Sequence, residues 1–74
     1  MKLIFKTSVL HANIPVFYSV FKTSENEYLA DTTATGMKPF SIRKNSGEWV
    51  STGSKYSNHV QQIAQLIDTH YQDN

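Results

Sequence analysis

The sequence predicts an α+β domain: a four- to five-stranded, mostly antiparallel meander sheet with one C-terminal helix packed on one face. Three observations lead there. Residues 57–72 carry the clear helical period, with Val60, Ile63, Ala64, Ile67 and Tyr71 at i, i+3, i+4, i+7 and i+11. The chain upstream of them is built of short, β-rich segments that alternate in hydropathy and are bounded by turn residues. With 74 residues and no cysteine, a single domain has to bury its core without disulfide help. The order is therefore β-β-β-β(-β)-α over residues 1–74, with strands within 2–52 and the helix over 57–72.

Taken in order, residues 2–8 alternate loosely and read as a strand, with Leu3 or Ile4 entering the core. Residues 9–13 fit either an extension of that strand or a turn. Pro15 suggests a break, because it cannot donate to a ladder and forces the residue before it to be extended. Residues 16–23 form the strongest strand. Val16, Tyr18 and Val20 point one way, and Phe17, Ser19 and Phe21 point the other. An antiparallel strand with one wet face alternates more cleanly than this. Its second face is therefore expected to be covered, by the protein itself or by a partner. Ser24-Glu25-Asn26 reads as a turn, residues 27–33 as a returning strand that includes Tyr28, and residues 35–39 as a loop. A four-residue echo, Phe5-Lys6-Thr7-Ser8 and Phe21-Lys22-Thr23-Ser24, is too short to define a repeat.

The second hairpin joins residues 40–44 to residues 48–52 through Asn45-Ser46-Gly47. A three-residue loop with Gly47 in the left-handed region pairs Lys44 with Glu48, Arg43 with Trp49 and Ile42 with Val50. Phe40, Ile42 and Val50 then face the helix, and Trp49 lies with Arg43 on the far side. A two- or four-residue loop reverses the parity and brings Trp49 to the core side. Before the helix, Ser54, Ser57 and Asn58 are all possible N-caps. The core is expected to collect Val16, Tyr18, Val20, Tyr28, Phe40, Ile42, Val50, Val60, Ile63 and Ile67.

Composition limits function. Seven Lys and Arg against six Asp and Glu leave a formal charge of +1, without the concentrated basic surface that phosphate binding needs. No apolar run approaches the ~20 residues of a membrane span or the ~7–15 of a signal-peptide core, which points to a cytoplasmic chain and no membrane partner. His59 and His70 lie eleven positions apart on one helix azimuth. Their separation of about 16 Å prevents them from sharing a metal within one chain. They read as partly buried boundary residues, and no metal or cofactor is expected. The carboxylates Glu25, Glu27, Asp31, Glu48, Asp68 and Asp73 make no recognisable catalytic constellation, so no catalytic residue is assigned. Gly53-Ser54-Lys55 lacks phosphate-loop spacing and reads as a turn plus cap.

Residues 40–50, FSIRKNSGEWV, followed by a helix, resemble the last hairpin and helix of arm-type integrase and AP2-like DNA-binding domains. That resemblance covers about half the chain. It implies a sheet lying in the major groove, with Arg43, Lys44 and Trp49 as contacts and Lys38 beside them. However, the preceding strand is acidic, and the helix has no Lys or Arg after Lys55. The leading expectation is therefore a non-catalytic protein-interaction module, most simply a homodimer through the sheet face that the helix leaves open. Its interface residues are Phe17, Phe21, Arg43 and Trp49. Another protein is the alternative partner, nucleic acid is the second reading, and a small enzyme is the third.

Overall fold

The computed structural model describes residues 1–53 and 56–70, with the backbone alone for His70. Five strands, β1 (Lys2–His11), β2 (Ile14–Ser24), β3 (Glu27–Asp31), β4 (Phe40–Asn45) and β5 (Glu48–Thr52), precede one helix, α1 (Ser57–His70). All neighbouring strands are antiparallel, and the sheet order is β1-β2-β3-β4-β5, a meander. The expected α+β architecture is the one observed, in its five-stranded form. The cap candidate Ser54, along with Lys55, Tyr71, Gln72 and Asp73, lies outside the described residues. No helix among the described residues is long and apolar enough to cross a membrane.

The ambiguous residues 9–13 resolve into strand and turn. β1 runs through His11, and Ala12 and Asn13 form a two-residue turn at φ 52° and 66°. Both central residues lie in the left-handed region, as the hairpin turn matching strand twist requires. Pro15 does not break β2 but pairs with Leu10. In a two-residue hairpin, His11 and Ile14 are the hydrogen-bonded pair, so Leu10 and Pro15 form the next, non-bonded pair. The N–H that Pro15 lacks would point toward β3, whose pairing with β2 reaches only as far as Ser19. The proline therefore costs no ladder bond.

The β4–β5 hairpin uses a two-residue loop, with Ser46 at φ 55° and Gly47 at φ 84°. Asn45 pairs with Glu48, Lys44 with Trp49, Arg43 with Val50, and Ile42 with Ser51. This is the reversed parity. Trp49 therefore lies on the helix side, half-buried against the core. Val50, expected in that core, is instead 41% exposed on the other face.

The core is the helix-side layer of the sheet: Val9, Val16, Tyr18, Val20, Tyr28, Ala30, Phe40 and Ile42, closed by Ile63, Ala64 and Ile67 of α1. An irregularity between Leu3 and Phe5 inserts Ile4 into β1. Ile4 packs on the core, while Leu3 stays exposed on the opposite face. Val60 is half-buried rather than central, and Val9, Ala30 and Ala64 join the core beyond expectation. Phe5 pairs with Val20 on the helix side and Phe21 with Leu29 on the other. The sequence echo thus relates residues on opposite faces and marks no pseudo-symmetry.

α1 lies across the strands. Near its start, Gln62 Oε1 accepts from the Leu10 N–H (3.3 Å), and the side-chain amides of Gln62 and Asn58 donate to the Leu10 carbonyl (3.4 Å each). These Leu10 groups point out of the sheet because the Leu10–Pro15 pair is non-bonded. Near its end, Asp68 accepts from Lys44 Nζ (3.1 Å) and Trp49 Nε1 (3.0 Å). Fourteen residues give a helix of about 21 Å, matching the roughly 19 Å width of five strands.

Candidate interaction surface

One helix covers one sheet face, and the strand alternation fixes what remains on the other. Leu3, Phe21, Leu29, Ser41 and Thr52 stand in register across all five strands on the open face. One step along β2, Lys6, Ser19 and Asp31 form a second row. Beyond it Ser8 pairs with Phe17, and at the opposite end Glu27, Arg43 and Val50 are in register. Phe17 is 71% exposed, Leu10 57%, Leu3 44% and Val50 41%, while Phe21 and Leu29 are half-buried by their neighbours. Apolar residues scattered singly on a surface are ordinary, but a contiguous patch marks a contact site. Beside Phe17 lies a shallow depression of ≈ 580 Å³, floored by Ser19 and flanked by Lys6 and Asp31.

The predicted interface residues divide between the faces. Phe17, Phe21 and Arg43 lie on the open face. Trp49 does not: it is on the helix side, its ring tilted against Tyr28 at 5.8 Å and its indole N–H held by Asp68. The residues assigned to the nucleic-acid alternative divide likewise. Arg43 faces outward beside Glu27. Lys44 lies over the Trp49 ring at 5.3 Å and pairs with Asp68, and Lys38 belongs to the loop between β3 and β4. The Trp49 indole hydrogen bond, with Lys44, holds the Asp68 carboxyl below its ordinary pKa.

A second cluster was not legible in the sequence. His59, read as a boundary residue, is fully buried. Its Nδ1 pairs with Tyr18 Oη at 2.9 Å and its Nε2 with His11 Nδ1 at 3.1 Å. Tyr56 stacks on His59 with ring centroids 5.1 Å apart and meets His11 edge-on at 4.8 Å. Burial and His11 push the His59 pKa down, while burial and Tyr56 push that of Tyr18 up. The neutral forms satisfy the chain: Tyr18 O–H donates to His59, and His59 Nε2–H donates to His11, or the order reverses. A proton added to His59 makes both of its ring nitrogens donors, so the Tyr18 O–H can no longer donate to it. The one available signal was spacing, since His59 is in line with Ile63 and Ile67 at i, i+4, i+8. His70, whose side chain lies outside the described residues, cannot be compared. Among the described residues, no group of three or more His, Asp or Glu converges to hold a metal.

In comparison with known proteins, no family model, curated protein or solved structure matches this chain.

Proposed function

We propose that the chain is a non-catalytic protein-interaction module that self-associates through its open sheet face. The observation carrying this reading is Phe17, a phenylalanine 71% exposed on a face that no other described residue covers, with the apolar row of Leu3, Phe21 and Leu29 on the other side of Lys6, Ser19 and Asp31. Burying such a side chain is worth about 1.5–3 kcal/mol, and a twofold interface counts it twice. The charges and aromatic residue of the nucleic-acid reading are spread over two faces, with Lys44 paired to Asp68, so the geometry favours a protein partner.

Sedimentation equilibrium at micromolar concentration tests the proposal. The wild-type chain is expected to sediment as a dimer. Phe17→Ser is expected to sediment as a monomer with an unchanged circular dichroism spectrum, because the side chain is exposed. A wild-type chain that stays monomeric, or a Phe17→Ser dimer of undiminished affinity, would overturn it.

A further inference from the structure

Resting on the open-face reading, the arrangement of charges specifies how two copies meet. Within the β1–β3 part of that face, Lys6 and Asp31 flank Ser19 in a single cross-strand row, one on each side of β2. Both are exposed, and their Cα atoms are about 10 Å apart, two strand spacings. The adjacent row is apolar on both sides of the same strand, with Leu3 and Leu29 about Phe21. The third charge of this region, Glu27, has the opposite charge of Arg43 directly beside it. The face is thus symmetric about β2 in its apolar groups and antisymmetric in its charges.

Sheets stacked face to face are related by a twofold axis lying in the plane between them, and two simple choices exist. An axis across the strands through this row sets Lys6 over the partner's Lys6 and Asp31 over the partner's Asp31. Like charges so placed repel each other across the layer. An axis along β2 sets each Lys6 over the partner's Asp31, each Leu3 over the partner's Leu29, and Phe17 and Phe21 over their own copies. Stacked sheets normally cross at about 30°, which keeps these neighbours within reach of side chains ~10 Å across the layer. We infer that the partner is a second copy of this chain, packed face to face about a twofold axis along β2, with two reciprocal Lys6–Asp31 ion pairs between the copies.

Charge reversal tests the axis separately from the face. Lys6→Glu alone places two carboxylates at each contact, and Asp31→Lys alone places two ammonium groups there. Each is expected to weaken the homodimer by ~10-fold or more. Mixing the two variants corrects both contacts at once. At one contact the carboxylate introduced at position 6 meets the ammonium introduced at position 31, and at the other the native Asp31 meets the native Lys6. The mixture is expected to give a heterodimer as the main species in native mass spectrometry, with near wild-type affinity. The double variant in one chain is expected to dimerise again, which also shows that neither exchange damages the fold. If the single variants dimerise normally, or the mixture stays as weak as its parts, the axis is wrong. In that case Phe17→Ser still reports on the open face independently. A monomeric wild type would overturn both readings.

Discussion

Acidification from pH 7 to pH 5 should weaken the fold through His59. In the folded chain, burial and the neighbouring His11 hold the His59 pKa below its ordinary value. In the unfolded chain the imidazole takes up a proton near pH 6.5. The unfolded state therefore binds more protons. The stabilisation is complete above that pH and falls as the pH drops below it, until the folded form also protonates. The slope for one proton approaches ~1.4 kcal/mol per pH unit. A domain of 74 residues has a total stability of roughly 4–11 kcal/mol, so each unit removes a substantial part. The corresponding loss in Tm is roughly 6–11 °C per pH unit. The groups facing His59 are His11 from β1, Tyr18 from β2, and Tyr56 ahead of α1. Asp68, held low by Trp49 and Lys44, titrates beneath this window. The assay is thermal unfolding followed by circular dichroism at fixed protein concentration and ionic strength. The wild type is compared with His59→Gln, which keeps a donor and an acceptor but does not titrate. A flatter Tm profile for His59→Gln is expected. A flat wild-type profile, or an equal slope in both proteins, would refute the argument.

Three further outcomes follow from packing and backbone geometry. Ile63→Asp buries an unpaired charge at a fully enclosed position, costing several kcal/mol, and should abolish cooperative unfolding; a near-native Tm would contradict its place in the core. Gly47→Ala meets no atom within 4 Å but holds φ at 84°, so it should destabilise by about 1–2 kcal/mol, whereas Ser46→Asn should stabilise; urea titration distinguishes the signs. Asp68→Ala should cost more than Asp68→Asn, because Asn can still accept from the half-buried Trp49 indole while the largely solvated Lys44 pair contributes under about 1 kcal/mol; equal losses would assign the effect to the ion pair.

The element order was legible because the period changes once, from near two to 3.6, and the turns between strands are marked by their own residues. The open-face candidates Phe17 and Phe21 were legible for the same reason, since alternation along β2 places them opposite Val16, Tyr18 and Val20. Trp49 was not. Asn45-Ser46-Gly47 supports a two- or three-residue loop, Gly47 serves both, and one residue of difference exchanges Trp49 with Val50 across the sheet. Pro15 misled because its meaning depends on which side of the strand its missing N–H would face. His59 was hidden for another reason. Its partners Tyr18 and His11 lie 41 and 48 residues away, so helical spacing showed its azimuth but not what would satisfy it there.

The way α1 grips β1 bears on how the protein is made. Every strand pairs with the one before it in sequence, so the sheet can assemble hairpin by hairpin as synthesis proceeds. The contacts that close the fold, Leu10 to Gln62 and His11 to His59, instead span 52 and 48 residues. At ~5–20 residues per second, the nascent sheet waits for about a second or more with both of its apolar faces bare. A chain interrupted before residue 57 never escapes that condition. It has no lid for one face, and its second face exposes Phe17 as well. Biosynthesis is thus most exposed to aggregation just before α1 arrives.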